Sequence, residues 1–426
     1  MIDPASDHDG VTSIGVRGDR IIEIGELDPA QADRAIDATG LLVTPGFVDT
    51  LTFKPTNQTI EKYKVLDGIT TIVFGHDGSI DVQFYFDNQE QWKHRINYAT
   101  SVRGYKPHNL NPKWRLDQIT AGIEAGGVAV AATPEYNFET EAEMLDLAKI
   151  AAQYDVPLVL HLRGSARNNE LEGLDEAIQL ARTTGVHIHV MHIHSTGGTY
   201  GYEEAMAMIA SARAEGLNVT ADVYPYTYWM TDFRSDRFNN FQEKYGLDFE
   251  DLQIAGTAER LTPARFEELR NKMIYVAVPE GTIPDGALDL ALRQPFVFIA
   301  SDGQIQTEPG ANAHPRSSGA FAEAFEEAAK RGIDLPTIVS KVTYEPLQLL
   351  ATSGADFNER GRIAPGMIAD ITIFDPTEIS HDGTIENPAV ASKGIEWVIV
   401  NGTPVVAEGE LLEVFPGRAL KRAAAR

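Results

Sequence analysis

Pro157-Leu-Val-Leu-His161 and, beyond a helical stretch at 174–183, Val186-His-Ile-His-Val-Met-His-Ile-His194 are short β-rich runs. A second helical stretch at 202–215, closed by Gly216, leads into a third run, Val219-Thr-Ala-Asp-Val223. Strands that alternate with helices of this length make βαβ units and a parallel sheet. Working outward, 70–74 and 128–132 add strands, 140–154 adds a helix with a Glu-rich opening, and Pro295-Phe-Val-Phe-Ile-Ala300 adds a further strand. So many repeats of one unit favour a closed barrel over an open sheet. No Gly-x-Gly-x-x-Gly follows an early strand, so a dinucleotide-binding open sheet has no support.

The two ends of the chain have a different character. Runs at 11–16, 21–24 and 41–43, and Asp370-Ile-Thr-Ile-Phe-Asp375 and Trp397-Val-Ile-Val-Asn-Gly-Thr-Pro-Val-Val406, read as strands with turns. They suggest one small β unit built from residues 1–43 and 363–426 around a barrel at 44–362; two unrelated edge hairpins are the plainer reading. The stretch 229–294 breaks the barrel rhythm and reads as an insertion, either a lid or a solvated excursion.

The chain has 426 residues, with 62 acidic against 36 basic and a formal charge of −26. That balance argues against a nucleic-acid or anionic-membrane partner, which needs clustered Lys and Arg. Cysteine is absent, which excludes disulfides, zinc–thiolate sites and a Cys nucleophile. No apolar run is long enough for a membrane span, and the acidic start lacks the pattern of a signal peptide. The expectation is a cytoplasmic protein acting on a small molecule, with self-association open.

In a parallel barrel the reactive groups sit at the carboxyl ends of the strands. Four such ends carry suitable side chains: His161, with Arg163 two positions on; His192 and His194; Asp302 in Ala300-Ser-Asp-Gly303; and Asp77 in Gly75-His-Asp-Gly78. Strand alternation puts His187 and His189 on the opposite face from His192 and His194. A single His that ends a strand is more often a hydrogen-bonded core residue. Several converging on one mouth make a plausible Zn²⁺ set, because zinc takes N and O ligands and keeps a position for water.

Val43-Thr-Pro-Gly-Phe-Val-Asp49 resembles the first-strand signature of the amidohydrolase superfamily. The chain more specifically resembles the N-acyl-D-amino-acid deacylase (D-aminoacylase) family. Asp67-Gly-Ile-Thr-Thr-Ile-Val73, His161-Leu-Arg163, Ala221-Asp-Val-Tyr-Pro-Tyr226, His314-Pro-Arg316 and Val400-Asn-Gly402 carry the likeness along nearly the whole chain. The resemblance implies a (β/α)8, TIM-like barrel carrying a small β-sandwich made from both termini, and hydrolysis of the amide of an N-acyl amino acid or related compound. The family follows its first-strand motif with His-x-His, where this chain has Leu51 and Phe53, so one of two metal positions should be lost. Asp77 takes the position of the family's metal-bridging Cys. The resemblance therefore implies one Zn²⁺, or another divalent metal, on Asp77, His161 and His192, with Asp302 as general base and acid. His76 is a spare ligand or proton donor.

For substrate contacts the resemblance points to Tyr136 and Arg316, while His194 stands where the family has a Lys. The Arg316 guanidinium can grip a carboxylate bidentately, but a neutral imidazole at 194 cannot replace the ammonium charge. Leu51 and Phe53 should form an apolar wall, or simply fill the vacated volume. Two other readings remain: a lyase or isomerase on the same barrel, and a ligand-binding protein that has lost catalysis.

Overall fold

The computed structural model describes residues 1–53, 55–104 and 112–423. Eight strands run parallel in one sheet: β1 (Phe47–Asp49), β2 (Ile69–Ser79), β3 (Asn97–Arg103), β4 (Val130–Ala132), β5 (Leu158–Leu160), β6 (Ile188–Val190), β7 (Val219–Val223) and β8 (Val297–Ile299). Each pairs with the next in sequence order. Past the ends of β1 and β8, a parallel bridge joins Thr52 to Gly303, and Phe53 N–H donates to the Gly303 carbonyl at 3.0 Å. The eight-stranded (β/α)8 barrel is thus brought to closure, and the open sheet is set aside.

Buried chemistry reinforces that seam. Asp49 accepts from Ser301 N–H at 3.0 Å and, through its other oxygen, from Lys64 Nζ at 2.9 Å. Lys64 also donates to Ser301 Oγ at 2.9 Å. A fully buried ammonium is tolerable only with a partner of this kind. The second strand must also pass close to the first. A Cβ on Gly75 would lie 2.1 Å from the Thr50 carbonyl, so only glycine fits immediately before His76.

Helices follow the strands as expected from their apolar spacing. The helix Glu141–Gln153 opens on a capping box between Thr140 and Glu143 and buries Met144, Leu147, Ala148 and Ala151. Glu170–Thr184 and Tyr202–Ala214 cover the next strands. β5, β6 and β8 are shorter than their apolar runs, and past β6 and β8 the backbone turns left-handed at His192 and Asp302. β3 has no counterpart in the periodicity reading: Asn97-Tyr-Ala-Thr-Ser-Val-Arg103 is too polar to stand out.

The chain ends meet in antiparallel sheets. Leu42–Pro45, Ile371–Phe374, Ile395–Val400, Thr403–Ala407 and Glu410–Leu411 form one five-stranded sheet. The hairpin of Ser13–Arg17 and Arg20–Gly25 supplies Ile21, which shares a buried cluster with Ile371, Ile373 and Trp397. Beyond that sheet, residues 417–423 return to the barrel, where Leu420 N–H donates to the Tyr98 carbonyl at 2.8 Å.

The insertion folds on itself. Met230–Asp232, Gln253–Ile254 and Tyr275–Ala277 make a three-stranded antiparallel sheet over an aromatic cluster that includes Trp229, Phe233, Phe238 and Phe266. Its far boundary differs from the expected 294. Helix Asp285–Leu292 packs on Tyr202–Ala214 and on β7 and β8, so it is the barrel helix of that unit. Among the described residues no helix is long and apolar enough to cross a membrane.

Candidate active site

Three imidazoles converge at the carboxyl ends of the strands. His76 lies near the end of β2, His161 follows β5 directly, and His192 lies two residues past β6. All three are buried, and one ring nitrogen from each lies within 4.8 Å of the others. His161 Nδ1 is 3.1 Å from His192 Nε2. Asp302, three residues past β8, places its carboxylate 3.8 Å from His76 Nε2 and 3.9 Å from His192 Nε2.

Two of these residues stand on strained backbone. His192 has φ +33° and Asp302 φ +46°, in a region β-carbons disfavour at roughly 1–3 kcal/mol each. At His192 the strain breaks strand alternation. His189 faces the barrel interior, stacked on Phe298 and bonded through Nε2 to Asp222 at 2.8 Å. Asp222 also accepts from the His192 backbone N–H at 2.6 Å, and so holds the turn that sends His192 into the mouth.

Hydrogen bonds behind the rings fix their orientation. His192 Nδ1 meets Thr196 Oγ1 at 3.1 Å, and His161 Nε2 meets the Glu135 carboxylate at 2.8 Å. In both cases the opposite nitrogen is left facing the cluster. Burial pushes His161 down to about 4 and His192 well below its ordinary value, so both rings are neutral near pH 7. Burial also pulls His76 down, but the nearby carboxylates of Asp77 and Asp302 outweigh it and leave its pKa raised. Burial raises the Asp302 carboxyl against the opposing pull of Arg316 and His76.

A cavity of about 420 Å³ opens over the cluster. Phe53, Tyr136 and Asn312 line it from the barrel side, and Met230, Arg234 and Tyr275 from the insertion. Tyr136 donates to or accepts from Thr231 Oγ1 at 3.1 Å. Arg316 lines the cavity but is turned to Asp302 at 2.7 Å, with its guanidinium 4.2 Å over the Tyr224 ring.

The residues singled out in the sequence divide accordingly. His76, His161, His192, Asp302, Tyr136, Arg316, Phe53 and Asp77 all line the cavity. Asp77 is not one of the converging trio, however: its carboxylate lies 3.3 Å from Arg103 and 3.6 Å from His76 Nδ1. His76, the spare, stands in the cluster instead. Three residues fall outside the lining. His194 is fully buried behind Tyr224, ring centroids 4.4 Å apart. Arg163 is held by Glu176 and the Glu139 carbonyl at the rim. Leu51 packs in the barrel interior with Ala129, Ala131, Val159, Met191 and Ala300. Glu135 and Arg237 went unnoticed. Glu135 sits inside Pro134-Glu-Tyr136, and a carboxylate beside a candidate binding residue was the available signal. Arg237 lies in the irregular insertion, where no pattern marks it.

No protein-family model matches the chain. It is 26% identical to an N-acyl-D-glutamate deacylase of Alcaligenes xylosoxydans xylosoxydans, over 96% of this chain and 92% of that protein. A D-aminoacylase of the same organism is also 26% identical, over 100% of this chain and 96% of that one. The fold matches the crystal structure of N-acyl-D-glutamate deacylase from Bordetella bronchiseptica, complexed with zinc and a phosphonate inhibitor. That match has TM-score 0.83 at 24% identity and covers 99% of this chain and 97% of that one.

Proposed function

Starting from the chain's homology, over nearly its whole length, to D-aminoacylase-type amidohydrolases, we propose that it is a metal-dependent hydrolase. It cleaves the C–N bond of an N-acyl amino acid or a related small amide, with one metal ion. The observation that carries this reading is the convergence of three buried imidazoles beside Asp302 at the barrel mouth.

The donor set fits a borderline cation such as Zn²⁺. Two rings are neutral, and one nitrogen from each of His76, His161 and His192 lies within 4.8 Å of the others. His76, His161 and His192 are the ligands this arrangement favours. Asp77, beside His76, is held by Arg103 and acts on the site's charge. Phe53 stacks on His76, centroids 4.1 Å apart, and supplies no metal-binding atom on the β1 side. When bound, such a metal lowers the pKa of water toward 7 and polarises a carbonyl.

The chain's own groups do the rest. Asp302, clamped by Arg316, accepts a proton from the attacking water and delivers it to the leaving nitrogen. Its buried position raises its basicity for that task. The Tyr136 hydroxyl, aligned by Thr231, offers a hydrogen bond to the substrate's polar head. Phe53, Met230 and Tyr275 give an apolar wall for the acyl portion.

The test pairs metal analysis of purified protein with turnover of N-acyl and N-carbamoyl amino acids of both configurations in ¹⁸O-labelled water. About one equivalent of metal and label in the released acid are expected. Metal-free protein that turns over none of these compounds, or product without label, would overturn the proposal; the second outcome would point to a lyase or isomerase.

A further inference from the structure

Glu135 ties the insertion to the imidazole cluster. It lies in the short helix Pro134–Asn137 that follows β4, and its side chain is 13% exposed. Its Oε1 accepts from Ser165 Oγ at 2.5 Å. Its Oε2 accepts from His161 Nε2 at 2.8 Å and from Arg237 Nε and Nη2 at 3.1 and 3.0 Å. Arg237 comes from the insertion, in the turn Asp236–Phe238. Its side chain is 4% exposed, lies over the Trp229 ring, and sends Nη2 also to the Ser195 carbonyl at 3.4 Å.

The direction of these bonds is fixed by chemistry. An ionised carboxylate only accepts, so His161 donates from Nε2 and keeps its lone pair on Nδ1. Nδ1 is the atom that faces His192. Arg237 and Ser165 donate to Glu135 as well, so both of its carboxylate oxygens are engaged as acceptors. A buried ion pair contributes little net stability compared with well-packed apolar residues. A pair of this kind set directly behind one ring of a cluster is better explained by what it does to that ring.

We propose that Glu135 and Arg237 form a positioning pair: Glu135 fixes which nitrogen His161 turns to the metal, and Arg237 makes that orientation depend on the insertion being seated on the barrel mouth. The inference rests on the metal-site reading above and adds the insertion to it. Carboxylates behind ligating histidines typically carry 10–100-fold in metal affinity.

The experiment titrates metal-free protein with Co²⁺ against a competing chelator and records the visible spectrum. The proteins are wild type, His161→Ala, Glu135→Gln, Arg237→Met and the Glu135→Gln/Arg237→Met double variant. Glu135→Gln should bind roughly 10–100-fold more weakly with an altered cobalt band. Arg237→Met should lose about tenfold, and the double variant should be little worse than Glu135→Gln, because the two act through one contact. Wild-type affinity and spectrum in Glu135→Gln, or losses that simply add, overturn the pair. If wild type and His161→Ala bind Co²⁺ equally poorly, the metal reading itself is wrong and the pair goes with it. Should Glu135→Gln fail to fold, ¹⁵N–¹H spectra of metal-free wild type decide: a proton on His161 Nε2 supports the assignment, and one on Nδ1 overturns it.

Discussion

The two halves of the barrel mouth are built on opposite principles. On the β5–β6 side, His161 and His192 are buried polar groups, each held by a hydrogen bond on its far nitrogen. On the β1 side, Leu51 has joined the apolar barrel interior and Phe53 lies against His76. Polar groups survive in a low-dielectric interior only where the surrounding chain satisfies them. The β5–β6 side keeps that support in Glu135, Thr196 and Asp222. At β1 the residues at the mouth are held by apolar packing and ring stacking instead. A metal ligand on the β1 side would therefore take more than a histidine at 51, because the side chains packed on Leu51 are apolar and offer no hydrogen bond to orient a ring.

The harshest test removes one ring from the supported half. His192→Ala should abolish stoichiometric metal and lower hydrolysis by at least ~10³-fold, since the metal's contribution to the barrier is lost with it. Metal analysis beside a rate assay checks this. Full metal content in that variant would show that the ring is structural and would erase the distinction between the halves.

The reverse substitution is next in size. Leu51→His places an imidazole against the apolar side chains of Ala129, Ala131, Val159, Met191 and Ala300. A loss of about 2–4 kcal/mol in unfolding free energy is expected, with no metal beyond the wild-type content. A stable variant with a second equivalent of metal would show that the β1 half is still a usable site. Phe53→Ala should do less. It removes part of the cavity wall, so KM should rise about tenfold while kcat and metal content stay near wild type. A collapse of metal content instead would mean that the ring's main task is to hold His76.

Sequence reading reached the supported half better than the supports. The βαβ rhythm of residues 157–223 shows a parallel barrel because period-two apolar runs and helical spacing are local signals. His161, His192 and Asp302 were visible because strand ends are where such folds concentrate chemistry. That His76 and not Asp77 lies beside His161 and His192 is not legible in a sequence, since neighbours on a strand differ only in which way they face, and here Asp77 is paired with Arg103 at 3.3 Å. The left-handed turn at His192 likewise defeats alternation: period two holds only while the backbone stays extended. Arg237 and Glu135 are 102 residues apart in sequence, and only the folded insertion brings them together.

The smallest test separates the mouth from the scaffold beneath it. Helix Arg316–Lys330 begins with the arginine that clamps Asp302 and continues into an acidic flank. There, burial together with Glu326 and Glu327 pushes Glu323 up to about 8, against a partial pull from Lys330. A carboxyl whose pKa is raised by folding binds its proton more tightly in the native state. Its contribution is therefore intact below the unfolded value near 4.5 and is lost as pH rises through about 8. Glu323→Gln should match wild type in thermal unfolding near pH 4.5 and exceed it on the order of 1 kcal/mol at pH 8 and above, after allowance for solvent screening. Metal content and KM should not move. If they do, the helix transmits its charge to Arg316, and any pH profile of the site has to be read as belonging to both. If they do not, the pH response of catalysis can be assigned to the mouth, where the contrast between the two halves was drawn.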